Sequence, residues 1–253
     1  MTALNKIIIK DHPEELARAG AEIFCKAAKI AVAQKGRFTV ALSGGTTPRL
    51  MHRLLAMDPF RSEIPWHRTH IFWVDERMVP ADHPDSNFGL ARKDLLDHAP
   101  LPAANIYAMP TETEPDQGAV QYQQQLRDFF KPSPGRYPVF DLISLGLGSD
   151  GHVASLFPGY PAAETGNAWV ISVKGGNPDL ARLTLTFPVL NSAAHLFFLV
   201  SGKGKAAVIK TLFEEPSAGL PAQNIRPFSR NLAWLLDSAA ASLLPERTHR
   251  ENR

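Results

Sequence analysis

The chain has 253 residues, 44% of them hydrophobic and 21% charged, which suffices for one large domain or two small ones and excludes a disordered chain. Its 27 Lys and Arg residues face 25 Asp and Glu residues, and this net charge of +2 gives no electrostatic case for a nucleic acid or a membrane surface as partner. The lone cysteine, Cys25, excludes an intrachain disulfide, and in the apolar helical run Ile23-Phe24-Cys25 it reads as a small buried side chain rather than a nucleophile.

Residues 7–9 predict a short first strand. Asp11 and Pro13 then open a helix over residues 14–34, with Leu16, Ala19, Ile23, Ala27 and Ile30 at helical spacing and Gly36 as its stop. The apolar segment around Asn5–Lys10 is too short for a signal peptide, and no apolar run is long enough to cross a bilayer, so a cytoplasmic protein is expected. Residues 38–42 predict a strand. The turn Ser43-Gly44-Gly45-Thr46-Thr47-Pro48 leads from it into a helix over 49–57, with proline suited to the first helical turn. A third strand over 69–74 ends in Asp75-Glu76-Arg77. A polar loop through Ser86 and Asn87 then precedes a helix over 88–98.

Residues 106–109 predict a short strand. Residues 115–130 form an amphipathic helix with Tyr122 and Leu126 inward, and Pro132-Ser133-Pro134-Gly135 breaks the chain. The core-type strand 139–145 runs into Gly146-Leu147-Gly148-Ser149-Asp150-Gly151-His152. Strands follow at 169–173, 182–186 and 195–200, a helical turn at 188–192, and helices at 205–213 and 232–244. A polar tail over 245–253 is expected to fray. Strands alternate with helices and several are apolar throughout, which points to an α/β fold with a mostly parallel central sheet flanked by helices on both faces. One such domain is expected over residues 1–244.

Five segments carry polar groups suited to chemistry. The turn 43–48 presents consecutive backbone amides at a helix start, which attract an anion; the alternative is an ordinary turn capped by Ser or Thr. It lacks the lysine of a P-loop, and no G-x-G-x-x-G follows the first strand. Asp75-Glu76-Arg77 is either a solvated strand end or one wall of a cleft. Arg182 and Lys205 are surface cations or phosphate ligands, and spacing does not separate Lys205 from Lys203. Asp150-Gly151-His152 supplies the best general base, because no serine sits in a nucleophile elbow. No cysteine cluster and no helical histidine pair argues for zinc.

Taken in order, six stretches resemble the 6-phosphogluconolactonases of the pentose phosphate pathway: Leu42–Pro48, Trp73–Pro80, Asp85–Gly89, Leu145–Pro158, Arg182–Thr186 and Ser201–Ala206. The resemblance spans residues 7–244. Glucosamine-6-phosphate deaminases share the glycine-rich turn and Asp-Gly-His, but their acidic strand end runs Asp-Glu-Tyr, where this chain has Arg77. Their histidine segment continues toward Phe-Asn-Glu-Pro, where this chain has Ala154-Ser155-Leu156-Phe157-Pro158. Thr46 stands where a serine is common in the lactonases, a change that keeps the hydroxyl.

The resemblance implies a Rossmann-like fold and hydrolysis of 6-phospho-D-glucono-1,5-lactone by a cytoplasmic monomer, without metal or organic cofactor. It further implies that Ser43, Gly44, Gly45, Thr46, Arg182 and Lys205 hold the phosphate. His152 would be the base oriented by Asp150, Arg77 would stabilise the oxyanion, and Asp75 and Asn87 would line the sugar site. An amino-sugar-phosphate isomerase-deaminase, with Asp75 moving a proton, is the alternative. A non-catalytic sugar-phosphate sensor is a weaker one, since such regulators carry an added DNA-binding domain.

Overall fold

A computed structural model describes residues 6–159 and 166–245. Its centre is a seven-stranded sheet with the spatial order β1-β10-β9-β6-β2-β3-β5. These strands are β1 (Lys6–Lys10), β2 (Phe38–Leu42), β3 (Thr69–Trp73), β5 (Ile106–Tyr107), β6 (Leu142–Leu145), β9 (Leu196–Val200) and β10 (Leu232–Asp237). Every neighbouring pair in this sheet is parallel. β2, β6 and β9 are buried along their whole length, which is why they read as continuous apolar runs rather than as alternating ones.

Helices cover both faces. Helix α1 (Pro13–Lys35) sets Phe24 edge-on against Phe38 of β2, with centroids 5.3 Å apart. On the opposite face, Phe72 of β3 meets Phe129 and Phe130 of helix α5 (Pro115–Phe130) at 5.1 and 5.6 Å. The register Phe72↔Ala41 puts Phe72 three positions out of phase with Phe38, and side chains on a strand alternate between faces. Trp234 of β10 stacks flat on Phe198 of β9 at 3.8 Å and receives Phe213 of helix α7 (Ala206–Glu214).

Two findings correct the sequence expectations. Residues 232–244 do not form a terminal helix: Leu232–Asp237 is the parallel strand β10, inserted between β1 and β9, and turns follow it. An Ala- and Leu-rich run fits a fully buried strand as well as a buried helix, and here pairing on both edges decides. Arg182 does not begin a strand but lies inside β8 (Leu180–Leu185). With β4 (Asp75–Arg77) and β7 (Val170–Gly175), β8 makes a separate three-stranded antiparallel sheet in the order β4-β8-β7. Asp75-Glu76-Arg77 is thus a strand in its own right. Of the tail expected to fray, residues 246–253 lie outside the described residues.

Helix α2 (Pro48–Leu55) follows β2, and the short helix α3 (Phe60–Glu63) follows α2. Helix α4 (Asn87–Ala91) runs into a π-turn over Arg92–Leu96, and α6 (Phe187–Asn191) follows β8. No described helix is long and apolar enough to cross a membrane.

Candidate active site

In a parallel sheet all strand C-termini lie along one edge, and ligands bind where neighbouring strands send their chains in opposite directions. Here that point lies between β2 and β6: β2 leads on to β3 on one side, and β6 leads on to β9 on the other. A cavity of about 260 Å³ opens there. Its walls come from the segments that follow four adjacent strands: the turn 43–48 after β2, the loop 146–152 after β6, strand β4 after β3, and Lys205 after β9. All the site residues expected from the sequence line it except Asp150, which stands directly behind His152. Lys203 is not among the lining residues, so geometry separates the two lysines.

The turn after β2 is not an ordinary capped one. Thr47, at the N-cap of α2, makes no side-chain cap bond. The hydroxyl of Ser43 accepts the Gly146 amide at 3.3 Å and ties the ends of β2 and β6 together. Lys205 donates Nζ to the Leu147 carbonyl at 2.6 Å, and burial lowers its pKa against the pull of Asp150. Its loop is fixed from beneath by Asp237, a buried carboxylate that accepts the Gly202 amide at 3.0 Å and the Ser201 hydroxyl.

His152 Nδ1 lies 2.6 Å from Asp150 Oδ1. A carboxylate only accepts, so Nδ1 carries a proton, and in the neutral ring Nε2 is left with the lone pair. Among the described residues Nε2 has no hydrogen-bond partner. Burial raises the Asp150 pKa, but the His152 amide and the pull of the imidazole with its ring N–H outweigh this and hold the carboxyl below its usual range. The ring also packs on Phe157 at 4.9 Å. Gly148 makes room for the pair, since a Cβ there would sit 2.1 Å from His152 Nδ1.

Two arginines line the same cavity. Arg77 and Arg182 are direct partners across β4 and β8, a placement in which like charges repel. Burial, then the charge of Arg77, lowers the Arg182 pKa, while Asp75, Asp85 and Glu76 pull the other way. Arg182 is anchored by Nε to the Gly175 carbonyl at 2.8 Å. Arg77 donates Nη1 to Asn87 Oδ1 and to the Asp85 carbonyl, and its buried Nε has no partner among the described residues.

Asp75 is more constrained than the sequence suggested. Its Oδ2 accepts the Ser155 hydroxyl at 2.7 Å and its Oδ1 the Asn87 amide at 3.3 Å, and only 5% of the residue is exposed. Sequence reasoning missed Ser155 as its partner, and nothing in the local pattern marks it. Among the described residues no group of three or more His, Cys, Asp or Glu side chains is placed to hold a metal ion.

Residues 11–234 match the family described as glucosamine-6-phosphate isomerases/6-phosphogluconolactonase. The chain belongs to that family. It is 44% identical over 218 residues to a 6-phosphogluconolactonase of Synechocystis sp., covering 85% of this chain and 88% of the relative. Among solved structures it resembles the 6-phosphogluconolactonase of Trypanosoma brucei, at a TM-score of 0.85 and 29% identity over 95% of this chain and 99% of that one. A monomeric glucosamine-6-phosphate deaminase aligns at a TM-score of 0.77 with 22% identity, covering 94% of this chain and 99% of that one, a likeness of fold alone. Family membership by itself therefore leaves two activities, and the side chains in the cavity must choose between them.

Proposed function

We propose that this protein hydrolyses 6-phospho-D-glucono-1,5-lactone to 6-phospho-D-gluconate. The observation that carries the reading is the meeting of the His152–Asp150 pair and the arginine pair on the lining of one cavity. A base with a free lone pair suits the activation of water. Clustered cations suit a phosphate dianion and the negative charge that develops on the carbonyl oxygen.

In this reading the amides of the 43–46 turn, Lys205 and Arg182 hold the phosphate, while the Arg77 guanidinium, which lines the cavity, meets the carbonyl oxygen. Nε2 of His152 takes a proton as the water oxygen bonds to C1. Asp150 accepts from Nδ1–H and steadies the imidazolium. Collapse of the tetrahedral adduct breaks the bond from C1 to the ring oxygen, which takes the proton from Nε2 as it leaves. The new carboxylic acid then ionises into solvent.

The Asp75 carboxylate argues against the isomerase-deaminase. With Ser155 and Asn87 on its oxygens, it is held as an acceptor within the wall rather than presented as a proton-abstracting base. An assay with freshly generated lactone, corrected for spontaneous hydrolysis, is expected to show turnover, and glucosamine 6-phosphate is expected to release no ammonia. The reverse outcome would overturn the assignment.

A further inference from the structure

Glu76 points away from the cavity, because alternation along β4 puts Asp75 and Arg77 on one side and Glu76 on the other. It is nonetheless only 1% exposed, and its carboxylate accepts four hydrogen bonds. Its Oε1 accepts the amides of Arg77 at 2.7 Å and Asn87 at 2.8 Å. Its Oε2 accepts the Phe88 amide at 2.7 Å and the Ser86 hydroxyl at 3.3 Å. These bonds fix the turn that carries Asn87. The Asn87 side chain in turn donates to the Asp75 carbonyl at 2.9 Å and accepts from the Arg77 guanidinium.

We infer that Glu76 is a positioning residue for the reaction: its buried carboxylate holds Asn87, and through Asn87 it aims Arg77 at the reacting carbonyl. This rests on the lactonase reading given above. The carboxylate is needed as such. A glutamine amide, whichever way it is turned, sets its NH2 group against at least one of the three backbone N–H donors, so the turn loses a bond and gains a repulsion. Burial, opposed by those three amides, raises the Glu76 pKa to about 7, as expected of a carboxylate kept in a dry site for its geometry.

The test is a double-mutant cycle on the full chain with Glu76→Gln, Arg77→Ala and both together, joined to amide hydrogen exchange of the wild type and Glu76→Gln. A misaimed oxyanion group costs about 10²-fold in kcat with KM held within about threefold. In the Arg77→Ala background the same substitution is expected to change kcat by less than about twofold, because the group through which it acts is gone. An unchanged kcat, or an equal loss in both backgrounds, overturns the inference.

Exchange at Arg77, Asn87 and Phe88 is expected to accelerate in Glu76→Gln while the β3 amides stay protected; unaltered protection at the three overturns it too. The exchange arm does not depend on turnover, so a wild type that fails to hydrolyse the lactone sinks the functional reading and leaves the anchoring role to be judged separately. Should Glu76→Gln fail to fold, Asn87→Ala removes the link to Arg77 while leaving Glu76 in place. A comparable fall in kcat is then expected, and a normal kcat contradicts the relay.

Discussion

Gly44 and Asn87 touch so closely that a Cβ at residue 44 would lie 1.7 Å from Asn87 Oδ1. That contact joins the glycine turn after β2 to the two arginines, since the same oxygen accepts from Arg77. Gly44→Ala should therefore displace Asn87 and release Arg77 in a protein that still folds, with kcat down by about 10²-fold. Kinetics within a few-fold of wild type would show that Asn87 does not hold Arg77 in place. The sequence made the glycine's use legible only in part. Gly44-Gly45 signals a close approach to the turn, and an anion is the obvious visitor, but a local pattern does not reveal that a side chain from residue 87 fills the space. Ser155 and Glu76 are hidden for the same reason: both act through partners brought in by the fold, at Asp75 and at residues 86–88. Asp150 and His152 stood out because their own short segment pairs a carboxylate with an imidazole, whereas spacing did not tell Lys205 from Lys203 and the fold brings only Lys205 to the cavity.

At the scale of elements, helix α2 holds the glycine turn 43–48 at its N-terminus and is tied to the Asn87 helix through Asp94. This aspartate sits in the π-turn Arg92–Leu96, is 5% exposed, and accepts from Arg49 Nε at 2.6 Å and Arg53 Nε at 3.0 Å. π-turns recur beside functional sites, and here the extra residue brings the carboxylate round to face α2. Asp94→Ala would leave a half-buried Arg49 beside an empty site, a loss of about 2 kcal/mol, or roughly 6 °C in Tm. An unchanged melting curve would mean that the ion cluster contributes nothing. The helix itself was legible over 88–98, whereas its change of pitch was not, because hydrophobic spacing is nearly blind to one inserted residue. The terminal segment shows a different limit. Leu232–Leu236 satisfies both a buried strand and a buried helix, and only the unfilled place between β1 and β9 chooses the strand.

At the scale of the molecule, the alternation of strands and helices announced the parallel sheet. The switch between β2 and β6 then explains why segments a hundred residues apart in sequence meet at one cavity. The separate antiparallel sheet was not announced, since β4 is only three residues long and reads as a charged strand end. The pH dependence of stability also belongs at this scale. Burial lowers the His52 pKa to about 4, so its contribution is present above the unfolded value near 6.5 and is lost as pH falls toward 4. Glu76, raised to about 7 from 4.5, acts with the opposite sign: its contribution is full below 4.5 and is lost as pH rises through 7. Between pH 4.5 and 6.5 these two opposing contributions, each about 3 kcal/mol across its window, largely cancel. Glu76→Gln should uncover the histidine, giving denaturation midpoints that fall more steeply than wild type as pH drops from 6.5. Parallel profiles for the two proteins would contradict both assignments.

The central claim is that His152 activates water on a phosphate-anchored lactone. The most direct measurement compares kcat and KM of His152→Ala with wild type on freshly generated 6-phosphogluconolactone, with spontaneous hydrolysis subtracted. Loss of a positioned base predicts a fall in kcat of about 10²–10⁴-fold with KM little changed. Turnover within a few-fold of wild type would contradict it.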